Sequence, residues 1–440
     1  MARAIKIVAV NAVVLVVVAE LLALGAYYFQ TGWLFYLNPY RATFDTVSGG
    51  AAGGLTDMGL HPYFGPVHRS GIPVEIPASM QDTAPGAAAA TGTPAGFATN
   101  NFGFATPHDF PYVKKSEREF VVGVFGGSVG LWFCQLGMPR VVEVLSLRAF
   151  FRDRTIVPLC FSHEGYKQPQ QAVLLTYFLS IGQQFDLVIN VDGFNEVALS
   201  RLNQERGFDL SMPSAMHLEG LRTLIDGSTM TPAKLRSLAA IDGDRQRLNA
   251  LAERLNRARM AVVYVVLERY YRVVEARYQA EQARFAALPA ASAGSSALHV
   301  TSPLADEPPA RFFEDVAGMW VRTSALMQDA LARQGATYVH VLQPNQYATS
   351  RRFSEAEAKL ALNPASPFKP GAEQGYPALV AAVTALPQTA DRPHIFDATG
   401  VFDAEPSPVY VDDCCHYTRK GNELLADFVA RALLSVRPDW

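Results

Sequence analysis

The stretch VVGVFGGSVG, residues 121–130, decides how this chain is read. Its first half is apolar and largely β-branched, with no polar face alternating along it. Such a run suits a strand buried on both faces of a sheet, not one with a wet side. Glycines then end it abruptly around a single serine, Ser128. The strand is expected to stop at a tight turn that presents a hydroxyl at its C-terminal end.

The same kind of run recurs outward from there. TIVPLCFS (155–162), FDLVINVDG (185–193), ATYVHVLQP (336–344) and the weaker PHIFDATG (393–400) read as further strands. Helical patterns separate them at about 137–152 and 168–182, and GNELLADFVARALLS (421–435) reads as a terminal helix. Buried strands alternating with helices predict an α/β fold with a parallel sheet and helices on both faces.

A long insertion at about 205–300 separates the third strand from the fourth. Thr231 and Pro232 read as its N-cap and first-turn pair. Gly243-Asp244 reads as a break and restart, Leu248, Leu251 and Leu255 share one face, and MAVVYVVL (260–267) reads as buried. Arginines crowd its polar positions. A solvated face with acidic partners is the plain reading, and a lid or docking surface for an anionic partner or glycan is the functional one.

Ahead of the sheet, Arg3 and Lys6 precede IVAVNAVVLVVVAELLALGAYYF (7–29), interrupted only by Asn11 and Glu20. About twenty apolar residues span a bilayer as a helix. Basic residues before the run predict a cytoplasmic N-terminus and an extracytoplasmic remainder, with Trp33, Phe35 and Tyr36 at the interface. A signal peptide cut near Ala23 and Gly25 is the alternative reading. A carboxyl deep in lipid is costly, so Glu20 is expected to be protonated or to face a helix of a membrane-protein partner. The division predicted is an anchor at 1–36, a mostly flexible linker at 37–98 and a globular domain at 99–440 carrying the insertion. Within the linker, GLHPYFGPVHRSG (59–71) is aromatic enough to dock on the domain.

A net charge of −3 over 440 residues gives no electrostatic basis for capturing nucleic acid. Four cysteines are too few for a disulfide scaffold. A bridge from Cys160 to Cys414 or Cys415 is one pairing the sequence permits.

Four short stretches fall at strand ends or in the last loop, where an open parallel sheet binds its ligands. They carry Ser128, Gly165 in SHEGYKQ, Asn195 in DGFNE, and Asp413 with His416 in DDCCHYTRKG. Ester cleavage by a serine needs a base, a group that orients the base, and donors aimed at the oxyanion. His416 supplies the base and Asp413, three residues earlier, the orienting carboxylate. The Ser128 and Gly165 backbone N–H groups and the Asn195 amide supply the donors. His163 reads as a loop residue and not as a second base. The Cys414-Cys415-His416 run lacks zinc-site spacing, so no metal is expected.

This combination resembles the SGNH (GDSL-type) hydrolase family, whose four named residues fall on Ser128, Gly165, Asn195 and His416. The Asp413-x-x-His416 pair ahead of Gly421 resembles the family's C-terminal pattern, over about 120–200 and 336–435. NNFGF (100–104) resembles a lead-in of membrane-anchored bacterial members. The usual Gly-Asp-Ser reads Gly126-Gly127-Ser128 here, and the usual Gly-x-Asn-Asp reads Gly193-Phe194-Asn195-Glu196. The G-x-S-x-G pattern of the α/β-hydrolases is the rival. It needs strands before the serine, where this chain has mostly linker.

The resemblance implies a flavodoxin-like three-layer sandwich and a serine esterase or O-acyltransferase without cofactor. Its implied substrate is an acyl, and specifically acetyl, ester of an extracytoplasmic glycan. A non-catalytic SGNH-like module that binds glycan or scaffolds a membrane complex is the competing expectation.

Overall fold

The structure, a computed structural model, describes residues 2–38, 44, 58–81, 93–218, 231–288, 301–302, 309–387, 389 and 392–440. Most of the Ala/Gly/Pro tract at 83–96 and of the loop at 287–297 lies outside them. The chain opens with α1 (Ala2–Thr31), a hairpin of β1 (Met58–His61) and β2 (Gly65–His68), then β3 (Pro73–Ile76) and β4 (Thr93–Ala98). Next come β5 (Glu119–Gly126), α2 (Ser128–Trp132), α3 (Met138–Ser146), β6 (Thr155–Cys160), α4 (Gln170–Ser180), β7 (Leu187–Asp192) and α5 (Phe194–Glu205). The insertion supplies α6 (Pro232–Asn256) and α7 (Ala261–Ala287). The chain ends with α8 (Pro309–Ala332), β8 (Thr337–Leu342), α9 (Glu355–Ala361), α10 (Lys369–Thr384), β9 (Ile395–Asp397) and α11 (Arg419–Val436).

Two compact units divide these elements. The larger comprises residues 55–76, 94–227 and 294–440 and carries a five-stranded sheet in the order β6-β5-β7-β8-β9. Every neighbouring pair in that sheet is parallel. All residues of β7 and β8 are buried, as expected where side chains of both parities meet a core. One core takes Phe120, Val122 and Val124 with Leu187, Ile189 and Val191, packed with Val141 of α3 and Leu425 of α11. Val121, Phe125, Val188 and Tyr338 enter the other, with Leu174 and Phe178 of α4 and Met327 of α8. The aromatic island belongs to this unit, since β1 and β2 pair antiparallel and Phe64 is buried in the second core.

A disulfide joins Cys160 to Cys134, and not to Cys414 or Cys415, the pairing the sequence permitted. Helix α2 runs through a π-turn, Phe133–Gly137, which carries Cys134 onto the end of neighbouring β6. Cys414 and Cys415 are free thiols.

The smaller unit comprises residues 1–54, 77–93 and 228–293, and so groups the insertion helices with α1. Over Val13–Thr31, α1 has a mean hydropathy of 1.9, long and apolar enough for a membrane anchor or a signal sequence. Ala23, Tyr27, Phe35, Leu248, Leu251, Leu255, Tyr264 and Tyr271 form this unit's core. Glu20 accepts hydrogen bonds from the first-turn N–H groups of α7, Ala261 at 2.7 Å and Val262 at 3.0 Å, and from the Tyr36 hydroxyl. Helix N-termini favour such anionic acceptors, so the carboxylate in the apolar run has partners inside its own chain.

Thr231 caps α6 by accepting from Lys234 N–H at 3.1 Å. The break expected at Gly243-Asp244 does not occur, and α6 continues to Asn256. Asp244 is buried and takes Arg247 at 2.8 Å and both guanidinium arms of Arg277 across the hairpin, which gives the polar position a place inside the helix pair. In MAVVYVVL, Ala261 and Tyr264 are buried but Val263 and Val266 are exposed.

Candidate active site

Ser128 begins α2 directly after β5, where a helix's first N–H groups have no intrahelical acceptor. The turn between strand and helix leaves no room for a side chain at 127 unless Asn195 moves. A Cβ there would stand 2.1 Å from Asn195 Nδ2 and 3.1 Å from the Tyr166 carbonyl oxygen. Glycine at this position is what lets the Asn195 amide reach the serine loop. The residue that departs from the resembling pattern is thus fitted to its own surroundings.

His416 lies on the loop before α11, pinned by a bridge between Tyr410 and Tyr417 and by Val411 N–H donating to its carbonyl at 3.1 Å. Its Nε2 is 2.7 Å from Ser128 Oγ. Its Nδ1 meets Asp412 Oδ2. The carboxylate on the imidazole is therefore Asp412, not the expected Asp413. Asp412 Oδ1 accepts from the N–H groups of Cys414 (3.0 Å), Cys415 (3.0 Å) and His416 (3.2 Å). The chain wraps around this side chain, and a four-residue spacing then brings the ring back onto it. Asp413 turns the other way, and its Oδ2 accepts from Asn363 Nδ2 at 2.6 Å. Asn345 and Gln346, just beyond β8, hold the turn by donating to the Cys414 and Asp412 carbonyls, each at 3.1 Å.

Asn195 is in the first turn of α5, buried, and its amide also donates to the Tyr166 carbonyl at 2.8 Å. Gly165 has φ +73°, and a Cβ on it would lie 2.3 Å from the His217 ring. Glu196, fully buried, joins the two loops. Its carboxylate accepts from Gln168 N–H at 2.8 Å and from Gly193 N–H at 2.7 Å. The chain after β6 is thereby tied to the chain after β7, and Gly165 to Asn195.

The electrostatics follow from this packing. Burial opposes charge on His416, but the Asp412 carboxylate, with Cys415 alongside, outweighs it and raises the imidazole well above its ordinary value. Burial would raise Asp412 too, yet His416 and the surrounding N–H groups bring it down to about 2. Burial, reinforced by nearby Asp192, pushes Glu196 up to about 8. Chemically, the site offers a hydroxyl bonded to an imidazole whose far nitrogen rests on a carboxylate, the relay that activates a serine.

Ser128, His416, Gly165 and Asn195 thus fall on neighbouring loops at one end of the sheet, while Asp413 stands aside. Three further residues of the site were not predicted: Asp412 and Glu196 each stand next to a predicted residue, and Gln346 carries no sequence signal of its own. A scan against protein-family models matches no family, and a search of curated proteins finds no match.

Proposed function

We propose that this protein is a serine-dependent ester hydrolase or O-acyltransferase of the SGNH type. The observation that carries the reading is the 2.7 Å contact between Ser128 Oγ and His416 Nε2, with Asp412 on the other ring nitrogen. The order β6-β5-β7-β8-β9 supports it as well. Counted along the sheet's own strands this is 2-1-3-4-5, the flavodoxin-like arrangement, which places ligands beyond the strands' C-terminal ends.

In the mechanism proposed, Ser128 Oγ attacks the ester carbonyl as its proton passes to His416 Nε2. Asp412 holds the ring's Nδ1–H and stabilises the imidazolium. The Ser128 and Gly165 N–H groups and the Asn195 amide receive the oxyanion. Collapse expels the alcohol, protonated by His416, and leaves an acyl group on Ser128. His416 then takes a proton from water or from a sugar hydroxyl, whose oxygen attacks the acyl carbon; His416 returns that proton to Ser128 Oγ as its bond to the acyl carbon breaks, releasing the acid or the new ester.

The domain is proposed to act outside the cytoplasm, on acetyl esters of a glycan. The apolar α1 behind Arg3 and Lys6 supports that topology. The Cys134–Cys160 disulfide supports an oxidising compartment. The glycan itself rests on the family resemblance alone.

Labelling of the full chain in detergent with a fluorophosphonate tests the reading. Wild type and Ser162→Ala are expected to label and Ser128→Ala to stay blank. A folded wild type that does not label points instead to a non-catalytic binding module. Acetyl appearing on an added glycan, in place of free acetate, identifies a transferase.

A further inference from the structure

Among the described residues, two clusters each bring three ligand-type atoms within 4.8 Å of one another: Cys414, Cys415 and His416, and His68, His163 and Glu164. In the first, both ring nitrogens of His416 are already engaged by Ser128 and Asp412. The second has no part in the mechanism above. We propose that His68, His163 and Glu164 bind a divalent transition-metal ion of the zinc class, which ties the β1–β2 hairpin to the loop bearing Gly165.

The donor set is two imidazoles and a carboxylate, which suits zinc, cobalt(II) or nickel(II) better than magnesium or calcium. His68 Nε2 is 3.1 Å from Glu164 Oε2. Bonds of 2.0–2.1 Å in a tetrahedral site place neighbouring ligand atoms roughly 3.3 Å apart, so this pair already has ligand spacing. His163 Nδ1 lies 3.1 Å from the Glu164 carbonyl oxygen and 3.4 Å from Glu164 Oε2; with the ring proton donated to that carbonyl, Nε2 is the nitrogen left open. That Nε2 is buried without a hydrogen-bond partner. A histidine held by one nitrogen on a backbone carbonyl, with the other open, is the usual posture of a metal ligand. A third imidazole, His217, packs on the adjacent Gly165 with its own Nδ1 buried and unpartnered.

The surroundings fix these groups before any ion arrives. His68 ends β2, and the NNFGF turn is seated directly on it. Gly103 has φ +85°, and a Cβ there would stand 1.8 Å from the His68 carbonyl oxygen. Asn100 Oδ1 closes that turn by accepting from Phe102 and Phe104 N–H at 3.0 and 2.9 Å. On the other side, the Tyr166 hydroxyl donates to the Pro66 carbonyl at 2.7 Å, joining loop to hairpin. The lead-in motif thus has a task that the serine chemistry leaves open: it presents His68 to Glu164.

The test uses the untagged full chain in detergent, stripped with chelator and titrated with cobalt(II), then with zinc by competition. One equivalent is expected, with ligand-field absorption and no thiolate-to-metal charge-transfer band. His68→Ala and Glu164→Gln are each expected to weaken binding at least tenfold. A Cys414→Ser/Cys415→Ser double variant is expected to bind as wild type does. Zinc is expected to raise the melting temperature of wild type and of the Cys variant, but not of the His68 or Glu164 variants. The melting temperatures of the stripped proteins show which variants are folded. Absence of binding by wild type, binding unchanged in both His68→Ala and Glu164→Gln, or loss only in the Cys variant overturns the proposal.

Discussion

Replacing Asp412 by Asn removes the acceptor for His416 Nδ1–H while leaving Asp413 on Asn363. Asp412→Asn is expected to lower kcat for a soluble acetyl ester by about 10³–10⁴, the scale seen when a triad loses its orienting carboxylate. Asp413→Asn is expected to stay within about tenfold of wild type, because its carboxylate does not touch the ring. The pH profile separates the two further. The base must be neutral, and Asp412 raises the pKa of His416, so kcat/KM should climb through a limb above the ordinary histidine value near 6.5. In Asp412→Asn the residual activity should climb through a limb at lower pH, and in Asp413→Asn the limb should not move. At position 127, Ala is expected to push the Asn195 amide aside and cost on the order of 10²–10³ in kcat, the worth of one oxyanion donor. The places of Ser128, Gly165 and Asn195 were legible because each follows a strand end, and that of His416 because it shortly precedes the terminal helix. The choice between adjacent aspartates was not legible, since a three- and a four-residue spacing both return to the histidine once the loop curls.

Loops between elements owe their relative position to Glu196. Glu196→Gln offers the Gln168 and Gly193 N–H groups only one carbonyl oxygen in place of two acceptors. A folded variant with kcat reduced at least about tenfold is expected, measured beside an unchanged circular dichroism spectrum. The disulfide does comparable work for α2. Its 26-residue separation predicts that Cys134→Ser/Cys160→Ser lowers stability by about 3–4 kcal/mol in chemical denaturation. Strand positions could be read from sequence because β5, β7 and β8 are buried on both faces and so are mostly apolar. The Cys134 pairing could not, because it depends on a π-turn that shifts the helix register by a residue. Gly243 misled for a related reason. Glycine weakens a helix locally, but the Asp244–Arg277 ion pair inside the hairpin favours continuation.

At the scale of the whole molecule, the chain divides into a unit that holds the apolar α1 and a sheet-bearing one. The insertion, read from sequence as part of the domain at 99–440, contributes helices that share a core with α1. That grouping had one visible clue, a carboxylate at residue 20 in the middle of an apolar run. Beside the Tyr36 hydroxyl, its partners are backbone N–H groups some 240 residues away, a distance no local pattern reports. Glu20→Leu is expected to leave those donors unpaired, at about 1–3 kcal/mol. Hydrogen exchange in nanodiscs should then be faster at residues 261–264, while the sheet amides of β7 and β8 stay protected. The most direct test of the central claim is mass spectrometry of the chain quenched during turnover of an activated acetyl ester. The account predicts one acetyl group, found on the peptide bearing Ser128 and absent from Ser128→Ala. Turnover that persists in Ser128→Ala, or acetyl found on another residue, would contradict it.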